Sequence, residues 1–177
     1  GEDFDVDNNI WLFGDDEECI VIDAAHDHEP IVAGVGGRRV VAVVCTHGHN
    51  DHINAAVALA DAVDAPIWLH AADTMLWEAV HPDRPVDAPL NDGQVIPVAG
   101  RKVKVIHTPG HSPGGCSLLD ADGGVLFSGD TLFKGGPGAT GRSFSSFATI
   151  IDSIQDRLLP LPDETVVHTG HGDDTTI

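Results

Sequence analysis

The chain contains no tyrosine, and lysine and arginine together supply only 9 of its 177 residues. Aspartate and glutamate number 28, which leaves a formal net charge of −19 at pH 7. Nucleic acids and anionic membrane surfaces are bound through basic patches, so neither is expected as a partner. Apolar runs reach only strand length, and no basic segment followed by an apolar one marks the start of the chain. We therefore expect no membrane-spanning helix and a cytoplasmic location, and the oligomeric state stays open.

Cysteine is scarce as well, whereas histidine is unusually common. Cys19, Cys45 and Cys116 are an odd number of thiols without CxxC spacing, which predicts buried free cysteines in a reducing compartment. The 11 histidines outnumber the lysines and arginines together. An acidic surface has no need of imidazoles, but a metal site does, so the composition points to metal chemistry.

The hydrophobic fraction of 42% is that of a folded protein, and the length fits one domain covering residues 1–177. Short β-branched runs alternate with loops rich in glycine, aspartate, proline and histidine, which predicts an α+β (α/β) fold. The stretch 82–91, rich in proline and aspartate, is the predicted seam between two similar halves. The predicted helices are Asp51–Val63 and Phe147–Leu158, with weaker ones at Glu29–Val35 and Ala71–Val80. The predicted strands are Ile10–Phe13, Cys19–Asp23, Val40–Cys45, Pro66–Leu69, Lys102–Ile106, Cys116–Asp120, Gly124–Phe127 and Thr165–Val167.

Four apolar runs each lead into a loop that carries histidine or aspartate. Because loops at strand ends converge in α/β proteins, these four predict a single shared site. The loops are THGHNDH (46–52), HTPGH (107–111), SGD (128–130) and HTGH (168–171).

The first loop is the most specific of these signals. His47 and His49 are two apart, so they project from one side of an extended chain and can chelate one ion. Asp51 and His52 open the following helix and turn away from that pair, so they can serve a second ion nearby. Two divalent ions about 3.5–4 Å apart, sharing a bridging oxygen, use all of these ligands.

With these motifs the chain resembles the metallo-β-lactamase fold hydrolases over nearly its whole length. The matching segments are THGHNDH, Thr108–His111, Gly129–Asp130 and Gly170–His171. Through HTPGHSPGG, FSGDTLFKGG, Gly141-Arg142 and the final GHG, it is most similar to the small glyoxalase II-like (hydroxyacylglutathione hydrolase-like) thioesterases. The resemblance implies a four-layer αββα sandwich with the site at one edge of two facing sheets. Family members usually continue into a closing helix after this point, so the resemblance also implies that this helix is missing here.

By the same resemblance, two metal ions are bound by histidine and aspartate side chains. The first ion is held by His47, His49 and His111, the second by Asp51, His52 and His171, and Asp130 bridges them. Imidazole and carboxylate suit Zn²⁺ first, with Fe or Mn as alternatives. The expected chemistry is attack of a metal-bound hydroxide on a carbonyl, with Asp51 and Asp130 as catalytic residues. A thiolate leaves more readily than an amine, so the expected substrate is the thioester of a small acyl-thiol conjugate.

Residues beside these loops carry further interpretations. Asp23 matches the acidic residue that supports the metal loop in the family. His107 and His168 stand at strand ends next to the ligand loops, either as hydrogen-bond partners of the ligands or as plain strand-terminal residues. Lys134 and Arg142 follow the metal-binding aspartate in a glycine-rich stretch. They either bind an anionic substrate tail or pair with nearby acids.

Other activities of the same fold are separated by what the chain lacks. Glutathione-using relatives hold the thiol with tyrosines and a C-terminal basic helix, so the thiol carrier is open, with mycothiol and bacillithiol as candidates. A lactonase is disfavoured because it uses a tyrosine near the site. A β-lactamase is disfavoured because its ligands commonly depart from the all-His/Asp pattern. A mononuclear iron persulfide dioxygenase, which shares HxHxDH and GD, is the main alternative. A non-catalytic metal-binding protein requires a lost ligand, and none is lost.

Overall fold

The computed structural model describes residues 7–177, so the first six residues of the predicted domain lie outside it. Its first sheet comes entirely from the N-terminal half. β1 (Trp11–Gly14) and β2 (Glu18–Ile22) pair antiparallel, and β3 (Arg39–Val44), β4 (Ile67–His70) and β5 (Ala88–Leu90) then add in parallel. Parallel strands bring their carboxyl ends to one edge of the sheet, and the loops that follow them start there.

The second sheet comes from the C-terminal half, which the chain enters between residues 90 and 95. In chain order the strands of this half are β6 (Val95–Val98), β7 (Arg101–His107), β8 (Cys116–Asp120), β9 (Val125–Gly129), the separate small hairpin of β10 (Leu132–Phe133) and β11 (Gly136–Pro137), β12 (Val166–Thr169) and β13 (Thr175–Thr176). The order across the sheet is β13-β12-β9-β8-β7-β6. Its neighbouring strands are antiparallel except β12 and β9, which are parallel.

Helices cover the outer faces of both sheets. Asp27 and Ser146 cap two of them, since each side chain accepts a hydrogen bond from a backbone N–H of the first turn. The helices are α1 (His28–Val35), α2 (Asn50–Ile53), α3 (Ala56–Val63), α4 (Thr74–Val80), which follows a 3-10 turn at Ala71–Asp73, and α5 (Phe147–Ser153), which continues as a π-helical turn at Ile154–Leu158.

The prediction of one helix at Asp51–Val63 is wrong, because α2 and α3 are separate. The backbone N–H of Ala55 donates to the carbonyl of Ala24 at 3.1 Å, and the Ala24 N–H donates to the His52 carbonyl at 2.9 Å. These bonds tie the chain to the segment that follows β2 and interrupt the helix. A tertiary contact of this kind leaves no trace in the helical periodicity of the sequence.

Three apolar cores separate four layers, which confirms the αββα sandwich. Helices α1, α3 and α4 pack on the outer face of the first sheet, and α5 packs on the outer face of the second. The two inner faces pack against each other in a central core. Representative buried side chains are Leu59 and Trp77 in the first core, Ile22 and Phe127 in the central core, and Ile150 and Leu126 in the third.

Within residues 7–177, the two-residue strands β10, β11 and β13 have no counterpart in the sequence prediction, and neither do the longer strands β5 and β6. The pattern of β5 and β6 is interrupted by Pro89 and Pro97. Both strands lie at the edge of their sheets. An edge strand tolerates proline because one side of its backbone has no ladder hydrogen bonds to lose.

The predictions about thiols and membrane spans also have an outcome. All three cysteines are buried and unpaired, as expected. Burial raises the pKa of each thiol, to about 12 for Cys116, so none is a ready thiolate. Within residues 7–177 no helix is both long enough and apolar enough to cross a bilayer.

Candidate metal centre

The predicted ligands come together at one edge of the sandwich, where strands of both sheets end. One ligand set follows β3, in the loop and short helix α2. The others follow β7, β9 and β12 of the second sheet. Because each of these segments starts at the end of a strand, the two packed sheets determine where the ligand side chains begin.

The first group of ligands, which we call the first trio, consists of His47, His49 and His111. Their facing nitrogens all lie within 4.8 Å of one another. The Nδ1 of His49 is 3.0 Å from the Nε2 of His111, and the His47 ring stands edge-on to both rings. His47 is buried, whereas His49 and His111 line a cleft that opens to solvent.

The second trio consists of Asp51, His52 and His171. The Nε2 atoms of the two histidines are 3.1 Å apart. The Asp51 Oδ2 lies 3.5 Å from the Nε2 of His52 and 3.3 Å from that of His171. His52 is completely buried, while Asp51 and His171 reach the cleft. One histidine and one aspartate of this trio come from the first half of the chain, and the other histidine comes from the second.

Asp130 lies between the two trios. Its Oδ2 is 3.8 Å from His47 Nε2 and 3.4 Å from His111 Nε2 of the first trio. The same oxygen is 3.3 Å from His52 Nε2 and 3.2 Å from His171 Nε2 of the second. A single carboxylate oxygen therefore faces both groups, as the predicted bridging role requires.

The donor set fits divalent metal ions. His47 Nε2 and Asp130 Oδ1 are buried and have no hydrogen-bond partner within residues 7–177. A buried unpaired acceptor is costly, and a bound cation satisfies it. In four of the histidines the Nδ1 atom lies within hydrogen-bond distance of an oxygen outside the centre. Their Nε2 lone pairs therefore point into the centre, as in metal-binding histidines. The Nδ1 of His47 lies 3.0 Å from Thr46 Oγ1, and that of His52 lies 2.8 Å from Asp23 Oδ2. The Nδ1 of His111 lies 2.7 Å from the Ala139 carbonyl oxygen, and that of His171 lies 2.8 Å from the Asp7 carbonyl oxygen.

The protonation states of the centre follow from burial and from the two carboxylates. Burial, reinforced by the neighbouring His52, lowers the pKa of His47 well below its usual range, so this imidazole is neutral. Burial alone raises the pKa of Asp130, but hydrogen bonds from His171 and His52 outweigh it and hold the pKa well below the usual range. Hydrogen bonds to Asp130 and Asp51 raise the pKa of His171 to about 10. Without metal, protons on the second trio therefore balance the charge of the carboxylates.

Comparison with known proteins agrees with this geometry. Residues 4–171 match the model of the metallo-beta-lactamase superfamily. The chain belongs to this superfamily. It is 32% identical to hydroxyacylglutathione hydrolase GloC of Haemophilus influenzae, over 96% of this chain and 87% of the relative. The structure of TTHA1623 in a di-iron-bound form superposes with a TM-score of 0.86 at 34% identity, covering 98% of this chain and 91% of the other. The BLEG-1 B3 metallo-beta-lactamase superposes with a TM-score of 0.88 at 29% identity, covering 98% and 90%.

The acidic residue that the superfamily resemblance placed beneath the metal loop is Asp23. Its carboxylate accepts hydrogen bonds from the Thr46 N–H at 2.7 Å and the Thr46 hydroxyl at 2.9 Å. It also faces His52 Nδ1 at 2.8 Å. Asp23 has a φ of +62°, a backbone conformation that non-glycine residues rarely adopt and that marks constrained functional sites.

Two residues that contact the candidate metal centre or its loops stand outside every motif used above. Asn8 donates from Nδ2 to the Asp51 Oδ2 at 3.0 Å. Asp73 accepts a hydrogen bond from the Gly48 N–H at 2.8 Å. Both reach the centre only through the fold, since 43 and 25 residues separate them from these partners. No local pattern in the sequence marks either one.

The two histidines with open interpretations have their partners elsewhere. His107 stacks on His70 with ring centroids 4.1 Å apart, and its Nε2 lies 2.9 Å from the Pro113 carbonyl. His168 lies against Trp11 and pairs with Asp174 at 2.9 Å. Within residues 7–177, neither ring makes a hydrogen bond or a ring contact with either trio. Both therefore occupy the strand-terminal role rather than that of a hydrogen-bond partner of the ligands.

The two basic residues predicted to bind substrate are placed differently. Lys134 is 66% exposed and pairs with Asp173 at 3.4 Å. Arg142 lines the cleft above the centre, a space of about 500 Å³ that is also lined by Asp51, Phe133 and His171. Of the two, the structure brings only Arg142 to the edge of the superfamily's metal site.

Proposed function

We propose that this chain is a binuclear metal-dependent hydrolase that cleaves the thioester of a small acyl-thiol conjugate. The observation that carries the proposal is the pair of trios around one shared carboxylate, Asp130, beneath a cleft of small-molecule size. The likeness to a hydroxyacylglutathione hydrolase supports the thioester as substrate class.

The first trio would hold one ion, the second trio the other, and Asp130 would serve both. Bound divalent ions act as Lewis acids and lower the pKa of a coordinated water toward ~7. Zn²⁺ suits imidazole and carboxylate ligands, and iron or manganese suits them as well. The di-iron form of TTHA1623 makes iron a concrete alternative.

The protein's own residues are placed to orient the attacking water. The Asp51 carboxylate opens on the cleft, and the Asn8 amide fixes one of its oxygens. It is therefore positioned to accept a hydrogen bond from an attacking water. Burial alone would raise the pKa of Asp51. A hydrogen bond from His171 and the nearby His52 outweigh burial and hold this pKa below its usual range. A thiolate with an ordinary pKa of about 8.5 leaves as the anion, so the reaction needs no general acid.

Arg142 is the residue of this chain best placed to hold an anionic substrate tail. Within residues 7–177 its guanidinium makes no hydrogen bond or ion pair, whereas every other arginine there donates to a carboxylate or a carbonyl. In so acidic a chain, an unpaired arginine at a cleft is available for a ligand carboxylate. Arginine suits that role because its planar fork binds a carboxylate through two hydrogen bonds.

Replacing Arg142 by alanine is expected to raise KM for an anionic thioester by about tenfold, with kcat changed by less than about twofold. The change removes uniform binding of the substrate and leaves the metal ligands untouched. Lys134→Ala is the matched control, because its ammonium already pairs with Asp173 at the exposed surface. Steady-state kinetics measure KM and kcat for both variants. An equal rise in KM for both variants contradicts a specific role for Arg142.

The proposed function is tested by combining elemental analysis with a panel of substrates. The panel contains lactoyl- and formyl-thiol conjugates, acetyl-CoA, a lactone and a β-lactam. We expect about two metal ions per chain and hydrolysis of one or more thioesters well above that of the lactone and β-lactam. One iron per chain together with oxygen uptake on a persulfide would instead establish the dioxygenase alternative.

A further inference from the structure

Asp73 is a completely buried carboxylate that the proposed reaction does not use. It ends the 3-10 turn before α4. Within residues 7–177 it forms no ion pair, and it is instead surrounded by hydrogen-bond donors. Its Oδ2 accepts from the Gly48 N–H at 2.8 Å and the Ser112 hydroxyl at 2.7 Å, and its Oδ1 accepts from the Gly114 N–H at 2.6 Å. Hydrogen bonds to an ionised acceptor are among the stronger ones in proteins.

The donors to Asp73 belong to the two loops that carry the first trio. Gly48 lies between His47 and His49, and Ser112 directly follows His111. One loop leaves the first sheet after β3, and the other leaves the second sheet after β7. A single carboxylate therefore joins the loops of two different sheets at the point where their histidines face each other.

The packing around this carboxylate is too tight for a looser arrangement. A Cβ placed on Gly114 would lie 2.7 Å from the Asp73 Cγ. A Cβ placed on Gly48 would lie 3.1 Å from the Asp73 carbonyl oxygen and 2.9 Å from the Leu76 Cβ. Both loops thus approach Asp73 with bare backbone, and any side chain at these two positions would push them away from it.

We propose that Asp73 is the positioning residue of the first trio. It sets the separation of His49 and His111, and through it the affinity for the metal ion that these histidines hold. The inference rests on the proposed function, because it takes the first trio to be a metal site. It adds a residue that acts through Gly48 and Ser112 and touches neither metal nor substrate.

The second trio is secured by other residues. Asn8 donates to Asp51, and the Asp7 carbonyl faces the Nδ1 of His171 at 2.8 Å. Asp73 makes no hydrogen bond to Asp51, His52 or His171. Its loss is therefore expected to affect one ion and spare the other, which a general loss of stability would not do.

The test isolates each site by deleting a ligand of the other. In a His171→Ala background only the first trio is complete, and Zn²⁺ affinity is measured by competition with a chromophoric chelator. Adding Asp73→Asn is expected to weaken this affinity by about 10- to 100-fold, since an amide cannot accept at both positions. In a His49→Ala background only the second trio is complete, and there Asp73→Asn is expected to change Zn²⁺ affinity by less than about twofold, while Asn8→Ala weakens it.

Two further variants separate positioning from stability. Asp120→Asn alters another buried carboxylate, at the last residue of β8, which pairs with Arg101 of β7. This variant therefore controls for destabilisation alone. Thermal unfolding is recorded for the metal-free Asp73→Asn and Asp120→Asn proteins. Should Asp73→Asn not fold, Ser112→Ala removes one of the three donors and is expected to weaken the first site alone by a smaller factor.

The outcomes distinguish the inference from the proposed function. Equal weakening of both sites by Asp73→Asn, or the same weakening by Asp120→Asn, overturns the positioning role. Unchanged affinity at the first site overturns it as well. If the His171→Ala protein binds no Zn²⁺ while wild type also binds none, the metal assignment itself fails and the inference falls with it.

Discussion

Replacing Asp130 by alanine is expected to abolish binding of both metal ions and to lower thioesterase kcat/KM by at least about a hundredfold, more than the loss of an outer hydrogen-bond partner costs. The Oδ2 of this carboxylate lies between 3.2 and 3.8 Å from four imidazole nitrogens of the two trios. Its removal deletes a ligand from each ion at once. It also leaves the imidazoles of His52 and His171 facing each other at 3.1 Å without the negative charge between them.

Elemental analysis after dialysis and steady-state kinetics measure these effects. Asp152→Ala, at an exposed position on α5, is the matched control and should retain metal and activity. An Asp130→Ala protein that kept both ions would contradict the role of Asp130 as a ligand shared by the two ions. Retention of a single ion would show that one trio suffices and would limit Asp130 to the other.

Replacing Gly110 by alanine is expected to reduce the free energy of unfolding of the metal-free protein by about 3 kcal/mol or more. The φ of this glycine is +140°, where a side chain is strained whatever the space around it. An added Cβ would also overlap the backbone and Cβ of Ile150, a buried residue of α5. The Gly110 carbonyl accepts from the Ser146 N–H at 2.8 Å, so the helix cannot move away without breaking that bond.

Urea denaturation followed by circular dichroism measures this loss. Gly136→Ala is the control, because a Cβ there meets nothing within 4 Å and the backbone has no positive φ. We expect this control to change the free energy of unfolding by less than about 0.5 kcal/mol. Similar values for the two variants would mean that the contact with Ile150 relaxes freely, contrary to the packing seen at α5.

The side chains that meet at the candidate metal centre could be picked out from the sequence because their signal is local. All four loops place a metal-capable residue next to a glycine shortly after an apolar run. Such a pattern can be recognised even where the predicted bounds of strands and helices are wrong. Strand and helix patterning predicted the α+β (α/β) class, whereas the four layers followed from the resemblance to the superfamily.

Apart from Asp23, which the family resemblance pointed to, the supporting residues could not be predicted, because what they do depends on contacts between distant segments. In the sequence Asp73 is one of many acidic residues, and only the fold brings Gly48 and Ser112 into contact with it. Lys134 and Arg142 share one glycine-rich stretch and look equivalent, yet one reaches Asp173 and the other reaches the cleft. The division of the helix after His52 likewise depends on a backbone bond from Ala55 to Ala24.

The central core between the sheets has a consequence beyond stability. Each trio takes ligands from both halves of the chain, so the thickness of that core sets how far apart the two ligand sets stand. Sites of this kind tolerate errors of only about 0.5 Å, and a close-packed interior transmits changes in side-chain volume. A change in side-chain volume at Ile22 or Phe127, both buried in this core, is therefore expected to alter the spacing of the two ligand sets as well as the stability of the fold.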